Sequence, residues 1–434
     1  MRIYVSSLGC KLNQAEMDAL AGRLAQAGHQ VVLSVAEADL AVLNTCAVTH
    51  VAAQKSRQAL RRLHRENPEA RLAVTGCYAE LSPGELSDLP GVDLLVGNEA
   101  KADLVALLPP ASAVEASPLR LGLETPGRPL ARTRALVKIQ DGCDNACTYC
   151  IIHVARGPQH SRPPDRVLAE VGARLSAGHR EIVLTGVHIG AYGQDRRGEP
   201  GAQHDLWGLI GRILTETSVE RLRLSSIEPW DLPERALELW RDPRLCRHLH
   251  LPLQSGCDAT LQRMGRRYDT AAFAGLVRVA RAAIPGLAVT SDLIVGFPGE
   301  TEAYFARSLA FVEEMAFARL HVFPYSIREG TPAAGMPGQV PHQVKVGRAR
   351  AMRQVAAASS RAFRQQFIGE RVSVLWESCQ ERDGRCVWSG LTDNYLRVQA
   401  PGPPGLANTF SSVHVIGLSE RGLRGRIEDQ KSGG

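Results

Sequence analysis

The chain has 434 residues and a mass of 47.0 kDa, more than one typical domain holds, so two or three are expected. With 44% hydrophobic and 22% charged residues it has the make-up of a folded water-soluble protein, and no apolar run approaches the ~18 residues of a membrane helix. A net charge of +6, carried by 45 arginines against six lysines, leans towards anionic partners without naming one.

The opening "MRIYVSSLGC" shares "LGC" with lipoprotein cleavage sites but lacks the apolar stretch of ~7–15 residues such signals need. A cytoplasmic, reducing location with no membrane attachment is therefore expected. In that setting ten cysteines point to metal ligation or catalysis rather than disulfides.

From Arg2 to about Leu108, apolar strand-like runs alternate with helical patterns, which predicts a parallel α/β sheet. "RIYVSSLG" leads to a helix around Glu16–Ala27, "DLAVLNT" to a helix around Ala53–Arg65, and "RLAVTG" follows. Each of these strands ends on a cysteine: Cys10, Cys46 and Cys77. Open α/β sheets bind ligands outside the carboxyl ends of their strands, so three thiols delivered there converge on one place. Ordinary packing of small buried cysteines is the competing reading. A proline-rich run, "LPPASAVEASPLRLGLETPGRPLARTR", then reads as a linker, dividing the chain into 1–110, a linker over 111–133, 134–368 and 369–434.

From about Ala135 to Phe323 the alternation resumes through "ALVKIQ", "EIVLTGV", "RLRLSSIE", "HLHLPLQS", "LAVTSDLIVGF" and "RLHVFPYS". Six such units predict a partial (β/α)6 TIM-like barrel, whose chemistry lies at the C-terminal ends of its strands. A cysteine loop, His188, Glu228, Gln254 and Asp292 sit there. A helix over about Gln343–Phe367 carries Lys345, Arg348, Arg350, Arg353, Arg361 and Arg364, either as a solvated face or as a surface for phosphates. "RVSVLWES", "CVWSGLT", "NYLRVQA" and "SSVHVIGL" predict a small antiparallel β-barrel, and "EDQKSGG" a disordered tail.

The loop "DGCDNACTYC" sets Cys143, Cys147 and Cys150 in a C-x3-C-x2-C array. Thiolates at this spacing suit zinc or an iron–sulfur cluster. A closed zinc site would take His153 as fourth ligand. A four-iron cluster on three cysteines instead leaves one iron open to a cofactor or substrate.

This array after the first barrel strand resembles the signature of radical S-adenosylmethionine (SAM) enzymes. The resemblance implies that SAM fills the open iron through its amino and carboxylate groups, and that an electron from the cluster cleaves it to a 5′-deoxyadenosyl radical. "LGCKLNQAE", "LNTCAVT" and "VTGCYAE", with a terminal β domain that resembles the TRAM domain, are similar to the methylthiotransferase family over residues 2–418. By that resemblance Cys10, Cys46 and Cys77 hold a second 4Fe–4S cluster whose free iron carries the sulfur to be delivered. Tyr149 would lie against the adenine of SAM, and Gly186 in "TGVH" would approach its methionine end. Glu228 in "SSIE" and Asp292 or Ile294 in "TSDLIVGFPGE" would contact ribose and adenine. Arg156 or Arg162 would hold the cofactor carboxylate or a tRNA phosphate.

"DGCDNACTYCIIHVARG", "SSIEPWDL", "RHLHLPLQSGCD" and "TDNYL" most resemble the branch that methylthiolates C2 of N6-threonylcarbamoyladenosine at position 37 of tRNA. His153 and Cys257 depart from it, standing where the family usually has proline and serine. The branch implies tRNA as partner, flavodoxin or ferredoxin as electron donor, and a monomer. The alternatives are methylthiolation of isopentenyladenosine in tRNA or of a ribosomal-protein aspartate, and, from another class, a non-catalytic metal-containing RNA-binding protein. Cys246, Cys257, Cys379 and Cys386 are expected to be small packed residues.

Overall fold

The computed structural model describes residues 1–109, 133–196, 205–382 and 385–428. The expected linker, up to its last residue, and the end of the expected tail lie outside the described residues. The chain begins with an all-parallel five-stranded sheet in the order β2-β1-β3-β4-β5. Its strands are β1 (Arg2–Ser7), β2 (Gln30–Val32), β3 (Leu40–Thr45), β4 (Arg71–Gly76) and β5 (Val92–Val96). Central β3 is buried along its whole length, as a strand covered on both faces must be, and its sequence is accordingly apolar without alternation. Helix α1 (Lys11–Gln26) follows β1, α2 (His50–Glu66) follows β3, and α3 (Cys77–Leu81) and α4 (Pro83–Ser87) follow β4. Helix α2 starts where the Thr49 hydroxyl accepts the Ala52 N–H at 3.1 Å. Strands β2 and β5 have no counterpart among the sequence expectations: the first is three residues long, too short for a period, and the second is half-exposed.

The second body is a curved wall of six parallel strands in chain order: β6 (Arg134–Lys138), β9 (Glu181–Thr185), β10 (Arg221–Leu224), β11 (His248–His250), β12 (Ala288–Val295) and β13 (Arg319–Pro324). Isolated parallel bridges, Leu222 to Leu245 and Ser226 to His250, join its two halves. The two-residue strands β7 (Gln140–Asp141) and β8 (His160–Ser161) pair across the cysteine loop, which also contains α5 (Ile152–Arg156). Outside the wall pack α6 (Pro164–Ser176), α7 (Leu206–Glu216), α8 (Asp258–Arg263), α9 (Thr270–Ala283) and α10 (Glu302–Met315). Alternation along the strands decides what lies within. Ala135, Val137, Ile182 and Leu184 join the outer core with α6 and α7, whereas Leu136 and Val183 pack with Ala15 of α1. The first helix of the N-terminal sheet thus lies on the inner face of the barrel wall.

Helix α11 (His342–Gln365) leads to a closed barrel of β14 (Arg371–Arg382), β15 (Arg385–Thr392), β16 (Arg397–Pro401), β17 (Phe410–Leu418) and β18 (Leu423–Ile427), in the order β14-β15-β16-β18-β17. The antiparallel expectation holds for four pairings, and the fifth, β16 with β18, is parallel. A closed ring of five strands cannot alternate direction throughout, so one parallel pair is obligatory. Strand β18, "LRGRI", is absent from the sequence expectations because glycine and two arginines dilute its pattern. This barrel docks on the amino ends of the wall: Arg223 Nη1 donates to Asp393 O at 2.8 Å, and Arg247 pairs with Asp393 at 2.6 Å. Cys379 and Cys386, expected as small packed residues, lie diagonally across the β14–β15 hairpin with Cα atoms 5.8 Å apart and are joined as a disulfide. Among the described residues no helix is long and apolar enough to cross a membrane.

Candidate metal-cluster site between two sheets

Cys10, Cys46 and Cys77 follow β1, β3 and β4, three adjacent strands of the first sheet. Two of them are preceded by a glycine at positive φ, Gly9 at 100° and Gly76 at 97°. A Cβ at Gly9 would stand 2.6 Å from Cys46 Cβ, and one at Gly76 would stand 2.2 Å from Asn44 Oδ1. Only glycine lets neighbouring strand ends approach this closely, and that approach gathers the thiols. Cys46 and Cys77 are buried, while Cys10 is exposed. Burial pushes the Cys46 thiol up to about 11, and the neighbouring Cys77 and Cys10 add to it. Burial also raises Cys77, against the opposing pull of Arg156.

Arg156 is the keystone of the junction. It comes from the loop of the second cysteine set, yet its Nη1 donates to Glu16 Oε1 of α1 at 2.9 Å and to Asp141 Oδ1 at 2.9 Å. Its Nη2 donates to Asn13 Oδ1 at 2.7 Å, and its side chain is 2% exposed. Lys101 and Lys138 also bind Glu16, at 2.6 and 2.8 Å. Burial would raise the Glu16 carboxyl, but Arg156, Lys101 and Lys138 overcome it and hold it far below the usual carboxylate range. The expectation that Arg156 holds a cofactor carboxylate or a phosphate is therefore corrected: its donors are committed to internal acceptors. Arg162 is likewise engaged, with Lys138 O and Glu170, both at 2.6 Å.

The Cys143–Cys150 loop is clamped from several sides. Thr148 N donates to Met264 O at 3.0 Å, Ala333 N donates to Thr148 O at 2.8 Å, and Cys143 N donates to Gly157 O at 3.2 Å. Gln140 ties its start to the next strand end by accepting the His188 N–H at 2.8 Å. A Cβ at Gly186 would stand 2.8 Å from Gln140 O, so that glycine lets the "TGVH" turn press on the same place. Burial pushes the Cys150 thiol up to about 12 and raises Cys147, which Arg266 opposes.

Arg266, which no sequence pattern singles out, lies 3.5 Å from Cys147 Sγ through Nη1 and bonds Glu228 through both terminal nitrogens. It also stacks on Trp230 at 4.8 Å. Glu228 thus sits one side chain away from Cys147. His188 lies near Cys143, Nδ1 to Sγ 3.9 Å, with Nε2 2.5 Å from Asp231 Oδ2. Tyr149 and Ile294, distant in sequence, share one apolar cluster with Phe297 and Tyr325. Asp292 instead pairs with His250 at 3.2 Å on the barrel wall. Gln254 adopts φ 64°, and its backbone bonds Asp292 O and Ile294 N. The basic helix divides: Lys345 and Arg348 are buried struts to Tyr325 O and Glu300, while Arg350, Arg353 and Arg361 are exposed.

Among the described residues no three histidine, cysteine or acidic side chains converge tightly enough to hold a single ion, so the fit rests on donor chemistry. Three thiols from one loop, and three from adjacent strand ends, match the soft ligand sets of iron–sulfur clusters. The raised proton affinities of Cys46, Cys77, Cys147 and Cys150 mean that metal loading must displace protons.

Comparison with known proteins agrees. Residues 2–97 match the family described as Uncharacterized protein family UPF0004, and residues 137–312 match the Radical SAM superfamily. A Bacillus subtilis protein, threonylcarbamoyladenosine tRNA methylthiotransferase MtaB, is 37% identical over 94% of this chain and 92% of its own. The ribosomal protein uS12 methylthiotransferase RimO of an Anaeromyxobacter species is 39% identical over 88% of this chain and 82% of its own. Among solved structures, the radical SAM methyltransferase TsrM from Kitasatospora setae shares the fold at a TM-score of 0.56 and 15% identity, over 77% of this chain and 75% of that one.

Proposed function

The chain belongs to the radical SAM methylthiotransferases, and we propose that Cys143, Cys147 and Cys150 hold its radical SAM cluster and that Cys10, Cys46 and Cys77 hold its second 4Fe–4S cluster. Its reaction is methylthiolation of C2 of N6-threonylcarbamoyladenosine beside the tRNA anticodon, the substrate in the Bacillus subtilis relative's name. The observation that carries this reading is the Arg156–Glu16 junction, which joins the helix that begins after Cys10 to the segment just past Cys150.

An adenine C2–H has no acidity that a side chain could exploit, so a cluster held by Cys143, Cys147 and Cys150 would, with SAM, supply the radical chemistry such a bond requires. The chain's own residues hold the parts in register. Arg156, Glu16 and Asp141 fix one thiol set against the other. Arg266 anchors Glu228 beside Cys147, and Glu228 would be the residue to meet the ribose of bound SAM. Met264 and Ala333 hold the loop backbone through Thr148. Fixed placement of this kind is what a two-cluster reaction on one base needs. The terminal β-barrel grips the RNA, a flavodoxin or ferredoxin supplies electrons, and the protein works as a cytoplasmic monomer.

Expression in a strain lacking the modification, followed by mass spectrometry of digested tRNA, tests the reading. The expected product is 2-methylthio-N6-threonylcarbamoyladenosine, lost in Cys147→Ala with tRNA binding retained. The similarity to the Anaeromyxobacter protein keeps a ribosomal-protein aspartate as second reading; methylthiolation only there, or only on isopentenyladenosine, overturns the first.

A further inference from the structure

Strand β13 leads into a segment that runs between the two cysteine sets. The segment that follows it touches both: Arg328 Nε donates to Val48 O at 3.1 Å and Ser326 Oγ accepts the His50 N–H at 3.3 Å, just past Cys46. A few residues on, Ala333 N donates to Thr148 O, inside the second cysteine loop, at 2.8 Å. Towards the other end of the wall, Lys11, next to Cys10, lies 5.6 Å from the Tyr395 ring, which packs 4.8 Å from His248. His248 and His250 share Thr290 Oγ1 at 3.0 and 2.9 Å.

Two aromatic side chains of β13 stand just before this segment. His321 and Phe323 are two residues apart, hence on one face, with rings 6.5 Å apart and within 12° of parallel. His321 lies 6.0 Å from the His250 ring, on the wall that carries the His250–Asp292 pair, so both rings share that face. Phe323 is 43% exposed, although it ends a strand of a largely buried wall. Val48 and Ile327, the apolar side chains beside the Arg328 contact, are 45% and 42% exposed. Among the described residues the exposed Phe323 and the half-buried His321 beside it present ring surface that a planar apolar ligand fits.

We propose that His321 and Phe323 form the stacking platform for the purine ring to be modified, presented as an unpaired nucleotide of an RNA loop. This rests on the methylthiotransferase reading on tRNA and adds where the base lies. Ring faces hold a base irrespective of its edge, so the platform leaves the C2 edge free to face the clusters.

The test uses the full chain with its clusters, handled without oxygen, and an anticodon stem-loop RNA carrying 2-aminopurine in place of the target adenine, whose fluorescence is quenched on stacking. The wild type should quench the probe. Phe323→Ala should lose most of the quench and bind the RNA roughly ten-fold more weakly, the size of one base–aromatic stack. Phe323→Trp should restore both, Phe323→Leu should not, and SAM affinity should stay within two-fold throughout. Quenching that survives Phe323→Ala and His321→Ala, or a ten-fold loss of SAM rather than RNA affinity, overturns the platform while leaving wild-type methylthiolation of tRNA intact. A wild type that neither binds the stem-loop nor modifies tRNA overturns the underlying reading together with it.

Discussion

Arg156 and Glu16 meet across the seam between the first sheet and the barrel, Nη1 to Oε1 2.9 Å, with both side chains at or below 7% exposure. Removing one partner of such a pair strands the other in a low-dielectric site, which costs ~3–5 kcal/mol. Arg156→Met should fall at the lower end, about 3 kcal/mol by denaturant unfolding, because Lys101 and Lys138 remain beside Glu16. In a cycle with Glu16→Gln the two losses should be far from additive. A loss under ~1 kcal/mol in both single variants would show that the seam is held by apolar packing instead.

Arg266 presents Nη1 to Cys147 Sγ at 3.5 Å and holds Glu228. Hydrogen bonds to the sulfurs of a cluster stabilise its reduced, more negative state. Arg266→Met should therefore leave the iron content unchanged and shift the potential of the radical cluster negative by ~60 mV, one ten-fold step for a one-electron couple. Redox titration followed by electron paramagnetic resonance reads this directly. An unchanged potential with lost iron would make Arg266 a purely structural clamp.

His179 is buried, its Nδ1 has no hydrogen-bond partner among the described residues, and burial lowers its pKa from 6.5 to about 4. The unfolded chain therefore takes up a proton between about 6.5 and 4 that the folded chain refuses. Stability from this group is full above pH 6.5 and is lost as the pH falls towards 4, by about 2 kcal/mol after allowing for solvent screening. His179→Gln should flatten that part of the stability profile. Urea midpoints at about pH 7.5 and 5 that shift equally in both proteins would contradict it.

The basic helix α11 should separate two effects. Arg348→Ala leaves Glu300, 2% exposed, without its 2.8 Å partner, and should cost ~2–3 kcal/mol of stability with little change in RNA affinity. Reversing the exposed Arg350 and Arg361 should instead leave folding intact and weaken tRNA binding. The salt dependence should then fall by about one unit of slope for each phosphate no longer neutralised. A salt dependence that does not change would assign the exposed arginines to solvent.

Much of this protein is legible along the chain because its chemistry is local. The C-x3-C-x2-C array lies within one loop, and Cys10, Cys46 and Cys77 each follow, within three residues, a strand whose apolar run is plain in the sequence. Asn13 and Glu16 carry a readable signal too: they stand three and six residues past Cys10 on a helix with a buried face, where polar groups need partners. Arg266 leaves no such trace, since one arginine among "RMGRRY" looks like any surface charge until Cys147 and Glu228 are placed beside it.

The sequence by itself determined three successive bodies and two sets of three thiols, because periodicity and ligand spacing are properties of neighbouring residues. Only the tertiary structure decided that α1 lies on the inner face of the barrel wall, that Arg156 serves the seam, that Lys345 and Arg348 of the basic helix are internal, and that Phe323 is left exposed. Those outcomes depend on pairings between residues more than a hundred positions apart, such as Glu16 with Arg156 and Cys147 with Arg266. Burial and pairing across such distances are set by how the sheets dock, and no local pattern encodes that.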